Sequence, residues 1–160
     1  MSVEPRALRD AMGCFATAVT VVTTLKDGVA IGVTVNSFNS VSLDPPLVLF
    51  SLAHDATALQ AIRESDRFAV NVLGEDQQDF SQRFATSGID ALEDVPNCPG
   101  PTGCALIEGA IAHFDCRLEQ AIEAGDHTIL IGRVEAVTHQ MSGEPLMYYR
   151  GQYAAVSTAG

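Results

Sequence analysis

The sequence lacks the charge that nucleic-acid and membrane proteins need. It has no tryptophan, a single lysine (Lys26), and 20 acidic residues against nine basic ones, for a formal net charge of −11. Such a surface repels nucleic acid and anionic lipid, so neither is expected as a partner. No apolar run approaches the roughly 20 residues of a membrane-spanning helix. No basic-then-apolar secretory pattern opens the chain, and a soluble protein of the cytoplasm is expected.

Cysteine is scarce and irregularly spaced. Cys14, Cys98, Cys104 and Cys116 form no Cys-x-x-Cys pair, so neither a disulfide framework nor a metal site is expected. Cys98 and Cys104 flank a segment rich in proline and glycine, residues 99–103. That spacing leaves two alternatives open: a regulatory disulfide or metal pair, or two small loop residues.

Three common catalytic motifs are also missing. No Gly-x-Gly-x-x-Gly opens a helix after a strand and no Walker motif occurs, so a Rossmann or P-loop nucleotide site is not supported. Gly-x-Ser-x-Gly is absent as well, which argues against a serine hydrolase.

Helical periodicity predicts short helices in three places. The first runs from Pro5 to Met12 and carries an apolar stripe (Ala7, Leu8, Ala11, Met12) that is predicted to be buried. The second runs from Thr57 to Ser65, with Asp55 or Thr57 as its N-cap, and the third from Glu75 to Phe84.

The rest of the pattern is that of strands. Strand-like runs cover residues 18–25, 29–35, 41–42, 47–53, 68–73, 107–123 and 126–139. Asp27-Gly28 and Ala124-Gly125-Asp126 are hairpin turns, and Gly109 and Gly132 are candidate bulges or positions of close approach. About six strands and two or three short helices predict a mainly β fold, an antiparallel barrel, in a single domain of residues 1–160. Residues 85–103 lack periodicity, and long loops of this kind are often lids.

The most informative segment lies between two strand-like runs, from Gly32 to Ser51. Its central part, residues 36–42, offers hydroxyls, amides and backbone N–H groups but almost no charge. This lining suits a flat ligand with polar edges better than a metal. The alternative is a turn whose hydroxyls satisfy its own backbone.

Several segments together resemble a known family. They are residues 32–51, Phe15 to Thr24, Phe68 to Leu73, the Gly125-Asp126-His127-Thr128-Ile129 turn, and Pro145 to Gly151. In order and spacing the chain resembles the flavin reductase-like family, the NAD(P)H:flavin oxidoreductases that supply reduced flavin to two-component monooxygenases. The resemblance implies an FMN-binding split barrel, a homodimer, FMN or FAD as flavin, and NADH or NADPH as hydride donor.

The resemblance also implies a set of site residues. Asn36 is expected at the flavin edge, and His127, in its Gly-Asp-His context, beside the flavin and the nicotinamide. A lone histidine is otherwise usually structural, and His54 is a weaker candidate for the pocket rim. The expected flavin contacts are Thr34, Val35, Asn36, Ser37, Ser40, Val41, Ser42, Ser51, Leu52, Ala53, Thr57, Arg83, Phe84 and His127.

The phosphate end of this predicted site departs from the family. Residues 51–57 end at a helix start, which favours an anion, but Asp55 would oppose a phosphate. Arg83 is the preferred compensating cation; otherwise it is a surface arginine whose stem covers Phe80.

Three functions remain open on the sequence. Steady reduction of flavin for a separate monooxygenase is the leading one, with alignment of two rings rather than a protein nucleophile as its mechanism. A flavin carrier without turnover and a scaffold on a degenerate barrel are the alternatives.

Overall fold

A computed structural model describes residues 2–86 and 91–157. The helices are α1 (Pro5–Met12), α2 (Thr57–Ser65) and α3 (Gln78–Ala85). The first six strands are β1 (Thr17–Ala18), β2 (Thr20–Lys26), β3 (Val29–Val35), β4 (Asn39–Leu43), β5 (Pro46–Ala53) and β6 (Arg67–Val72). The others are β7 (Asn97–Pro99), β8 (Ala105–Ile107), β9 (Ala112–Ala124), β10 (His127–His139), β11 (Met147–Tyr149) and β12 (Gln152–Ala154).

The mainly β, antiparallel fold is confirmed, with one strand more than predicted in the main sheet. Seven strands pair in the order β3-β2-β6-β9-β10-β5-β4, while β1, β11 and β12 form a smaller sheet. The short predicted run 41–42 forms a full strand of this sheet, β4, because the turn at Asp44-Pro45 folds it back onto β5 in a hairpin that pairs Leu43 with Pro46. The predicted strand segment 41–42 is thereby confirmed, and the strand begins two residues earlier, at Asn39, within the predicted loop.

The main sheet is buried on both sides at its centre. On one side α2 packs through Leu59 and Ile62, near the edge-to-face pair of Phe50 and Phe68, whose ring centroids are 5.0 Å apart. On the other side α3 and the C-terminal strands cover a second cluster that includes Val21. Apolar side chains therefore pack against both faces of the sheet, and this close packing holds its strands in fixed positions.

Three local predictions are wrong at specific residues. The apolar stripe of α1 is not buried, since Leu8 is 55 % and Met12 59 % exposed. The helix is bonded to the C-terminal strands only at its end, where the backbone N–H of Arg150 donates to the Gly13 carbonyl. The N-cap position of α2 is Ala56, without a side-chain hydrogen bond. The predicted strand from residue 107 begins at Ala112, because a turn at residues 108–110 separates it from β8.

The long segment after α3 is packed where it is described. Residues 87–90, part of the predicted lid, lie outside the described residues. Beyond them Leu92 and Val95 are buried in the second cluster. Further along, the buried Asp115 carboxylate accepts hydrogen bonds from the backbone N–H and the hydroxyl of Thr102. Since these contacts hold residues 91–104 against the barrel, the described part is not an open lid.

The four cysteines divide into two exposed and two buried thiols. Cys14 and Cys98 are exposed, whereas Cys104 and Cys116 are buried, and burial raises the pKa of both buried thiols. A thiol with a raised pKa holds little thiolate, the reactive form. We expect a disulfide reagent at pH 8 to modify only Cys14 and Cys98 in the native protein, and all four thiols after unfolding. Rapid native modification of four thiols would contradict this burial.

The helices of the described chain are short. None of them is long and apolar enough to cross a membrane.

Candidate functional site

A cavity of about 310 Å³ lies between the ends of β3 and β5. It brings together eight of the residues predicted from the sequence, from three separate segments of the chain. They are Thr34, Val35, Asn36, Ser37, Ser51, Leu52, Ala53 and His127, and the cavity is completed by Val33 and Ala56.

The pairing of β4 explains why this cavity exists. β4 pairs with β5 only as far as Leu49, opposite Asn39, so the last residues of β5 have no strand on that side. Ser37 bridges part of the gap, because its hydroxyl donates to the Ser51 carbonyl (3.3 Å) and accepts from the Ser51 N–H (2.9 Å). Alternate residues of an antiparallel strand face the same side, so the N–H of Ala53 is turned to the open edge as well.

The start of α2 closes one end of the cavity. Ala56, which lines it, is the N-cap residue and offers no side-chain cap. The first N–H groups of a helix lack intrahelical partners and carry its positive dipole end. This end of the cavity is therefore suited to an anion.

His127 lies at the other side of the cavity, at the first position of β10. It pairs with Ala53 of β5, and its Nδ1 is 2.8 Å from Oδ1 of Asp126. Because a carboxylate only accepts hydrogen bonds, Nδ1 carries the proton in this contact and Nε2 stays available. The hydrogen bond from His127 lowers the pKa of Asp126, so the carboxylate that orients the ring is ionised at neutral pH.

Asn36 lies where three cavities meet. It lines the cavity just described, a smaller one of about 190 Å³ bordered by Tyr148 and Tyr153, and the large one of about 800 Å³. Behind it, the Thr34 hydroxyl donates to the Ser81 carbonyl (2.7 Å), and Ser81 bonds the Tyr153 hydroxyl (2.8 Å). The Thr34 and Ser37 hydroxyls therefore brace the site, and backbone groups and Asn36 remain for a ligand.

Three predicted contacts lie on the edge strand instead of in the cavity. Ser40, Val41 and Ser42 belong to β4, and the register shift between Ser40 and Ser42 makes Val41 the bulged residue. The pairing of this strand with β5 carries these three side chains past the cavity.

Three further predicted contacts have other partners or positions. Phe84 is buried in the second core cluster, because the inner face of α3 must fill the space beside β3. Arg83 donates to the carbonyls of Ala91 (3.1 Å) and Glu93 (2.6 Å), so it anchors the segment after α3. Its guanidinium lies over the Phe84 ring, not over Phe80. Thr57 is the exposed first residue of α2 and is not among the cavity residues.

His54 has a partner outside the cavity. Its Nε2 is 2.9 Å from Glu123, which also pairs with Arg63. The hydrogen bond from the Arg63 guanidinium lowers the pKa of Glu123. This cluster fastens the β9–β10 hairpin to α2 and so supports the strand that carries His127.

Comparison with known proteins decides the family. The profile of the flavin reductase like domain matches residues 12–157. The chain belongs to this family. The resemblance seen in the sequence is thereby confirmed, and by family the protein is a flavin reductase, an oxidoreductase.

Two relatives and one solved structure share this flavin reductase domain over 80 to 97 % of their own length. The reductase subunit HsaB of a flavin-dependent monooxygenase from Rhodococcus jostii is 39 % identical over 155 residues, which cover 97 % of this chain and 80 % of HsaB. The NADH-dependent FMN reductase SmoA of Agrobacterium fabrum is 43 % identical over 152 residues, 95 % of this chain and 86 % of SmoA. The NADH:FAD oxidoreductase SgcE6 of Streptomyces globisporus, solved with NAD and FAD fragments, superposes with a TM-score of 0.91 at 37 % identity, over 98 % of this chain and 97 % of SgcE6.

The cavity fits the cofactor that the flavin reductase family implies. A flavin needs a flat slot, hydrogen-bond donors at its ring edge and a place for its phosphate. The small side chains of Ala53 and Ala56 leave the slot open, the Ala53 N–H at the free edge of β5 supplies a donor, and the start of α2 suits an anion. Arg83 supplies no charge here, so the phosphate would rely on backbone N–H groups.

Sequence reasoning missed several residues around Asn36. Tyr148 and Arg150 come from the C-terminal strands, and Arg9 and Phe15 from the region of α1. Pairing of Thr17 with Tyr148 brings the two chain ends together. No local sequence pattern predicts a contact between two segments so far apart in the chain.

Proposed function

We propose that this flavin reductase uses NADH or NADPH to reduce FMN or FAD by direct hydride transfer and supplies the reduced flavin to a separate monooxygenase. The observation that carries the proposal is the cavity in which an open strand edge faces His127 and Asn36. The names of the relatives HsaB and SmoA support the reaction and the class of partner.

The bound flavin would supply the redox chemistry, accepting the hydride at its ring system. The residues from Thr34 to Ser37 and from Ser51 to Ala53 would hold its ring edge. The start of α2 would hold its phosphate.

The chain's own task is alignment and polarity. Nδ1 of His127 is fixed by Asp126, so Nε2 is the atom that would orient the carboxamide of the hydride donor. The Asn36 amide would fix the flavin edge where it meets the larger cavity. Holding two rings in a defined geometry replaces a bimolecular encounter and accounts for the rate without a protein nucleophile.

The assembly and location follow from the same proposal. A homodimer in the cytoplasm is proposed, with the flavin diffusing to its monooxygenase. Large exposed apolar side chains such as Leu43 (96 %) and Met141 (93 %) are of the kind that an interface between copies covers. Light scattering on the purified protein gives the mass that decides between monomer and dimer.

The decisive experiment follows NADH absorbance with added flavin. We expect continuous NADH loss at catalytic protein concentration, with FMN and FAD compared and NADPH as a second donor. Tight flavin binding without turnover would replace the proposal with a flavin carrier. Absence of both binding and turnover would indicate a scaffold.

A further inference from the structure

A cavity of about 800 Å³ adjoins the flavin cavity and is not explained by it. The two share Asn36 and Ser37. Its walls are largely apolar and aromatic, with Phe38 and Phe114 in a tilted pair whose ring centroids are 5.1 Å apart. Two guanidinium groups, those of Arg9 and Arg150, lie in this wall.

The backbone fixes these two arginines relative to each other. The N–H of Arg150 donates to the Gly13 carbonyl (2.8 Å), and the N–H of Gly13 donates to the Arg9 carbonyl (2.9 Å). Both arginines also line an outer cavity of about 330 Å³, together with Asp10 and Cys14. The pair therefore stands at the passage from the large cavity to the outer one.

Arg150 is held in an unusual conformation. Its φ is +50°, in the left-handed region that glycine or asparagine normally occupies, and Gly151 follows at +78°. Its Nε donates to the Tyr149 hydroxyl (2.9 Å), and its guanidinium lies 5.3 Å from the centroid of the Tyr149 ring. The terminal nitrogens of the fork, which lie near the Cys14 thiol, are the atoms that remain for a bidentate acceptor. Strained positions of this kind concentrate at functional sites.

Five of the six other arginines of this acidic chain have partners within the protein, and the sixth, Arg6, lines neither cavity. Arg63, Arg117 and Arg133 pair with glutamates, and Arg67 and Arg83 donate to backbone carbonyls. Within the ranges 2–86 and 91–157, no ion pair engages Arg9 or Arg150. Two guanidinium groups without ion pairs make this cavity wall strongly positive, although the net charge of the chain is −11.

We infer that Arg9 and Arg150 bind the phosphate groups of the nicotinamide nucleotide while its reduced ring lies toward Asn36. The inference rests on the proposed function, because it assigns the donor side of that site. Planar guanidinium forks match phosphate oxygens bidentately. The aromatic wall of the large cavity provides apolar surface for the rest of the nucleotide.

The test compares donors with and without phosphate. In the variants Arg9→Gln and Arg150→Gln, we expect the KM for NADH to rise about tenfold each, as for loss of a hydrogen bond to a charged group. With 1-benzyl-1,4-dihydronicotinamide, which has no phosphate, kcat/KM should stay unchanged. The matched control is Arg6→Gln, which removes the same charge from α1 but lines neither cavity. Arg150→Lys, which keeps charge without the fork, should recover part of the loss.

A binding arm separates this inference from the reaction itself. ADP-ribose carries the pyrophosphate of NADH but no nicotinamide, so its binding by calorimetry needs no turnover. We expect the affinity for ADP-ribose to fall about tenfold in each glutamine variant. For ADP-ribose that carries a 2′-phosphate, the loss of affinity should be larger only if the arginines bind that 2′-phosphate. Unchanged affinity, absence of wild-type binding, or a parallel loss with the phosphate-free donor would overturn the assignment. Failure of wild-type turnover with both donors would instead refute the proposed function.

Discussion

Replacing His127 with alanine is expected to lower the kcat for NADH-dependent flavin reduction about 100-fold while the protein stays folded. The side chain is half exposed at the start of β10, so its loss leaves no buried void. What is lost is the oriented Nε2 beside the cavity, and poor placement of reacting groups by about 1 Å can cost roughly 100-fold in rate. Steady-state kinetics over a range of NADH and FMN concentrations measure the effect.

Two controls separate alignment from general damage. His139→Ala removes an exposed histidine at the other end of the same strand and should leave kcat unchanged. Asp126→Asn keeps the shape of the residue but removes the carboxylate that fixes Nδ1, so it should lower kcat less than the loss of the ring does. A His127→Ala enzyme with the wild-type rate would remove His127 from the proposed mechanism.

Local patterns predicted the elements of this chain well. α1, α2 and β3 have the predicted bounds, because proline at a helix start, apolar spacing and an Asp-Gly turn act over a few residues. The same patterns did not predict correctly which helix faces are buried. The stripe of α1 has helical spacing, yet burial depends on what the rest of the chain places opposite that face.

The candidate site was predicted in the same uneven way. The cavity brings together the predicted residues around Ser37 and Ser51, which lie near the two ends of one serine-rich segment, and His127, which was chosen by its family context. Ser40 and Arg83 were misplaced, since a register shift and a backbone carbonyl decide their positions. Arg150 was out of reach of any local pattern, because long-range pairing of β1 with β11 brings it to α1.

Gly132→Ala is expected to have the largest effect on stability. Gly132 lies at a register shift where the extra residue, Glu119, is on β9, and it is the close-approach position that was the second of its two predicted roles. A Cβ there would be 2.2 Å from Cζ of Phe68 and 3.1 Å from Cβ of Cys116. Both neighbours are fully buried, and Phe68 is confined by Phe50, so neither can move aside. Overpacking of this kind costs about 3 kcal/mol.

Thermal unfolding measures this loss of stability, and the comparison is a glycine with open space where its Cβ would lie. For a chain of this size the expected loss in Tm is about 10 °C. Gly28→Ala is the control, since its Cβ meets nothing within 4 Å and only the left-handed φ of +80° opposes it, at about 1 kcal/mol. Adding Phe68→Leu to Gly132→Ala should recover part of the Tm, because the clash and the ring are removed together. A Gly132→Ala protein that unfolds no earlier than Gly28→Ala would show that the barrel yields at this bulge.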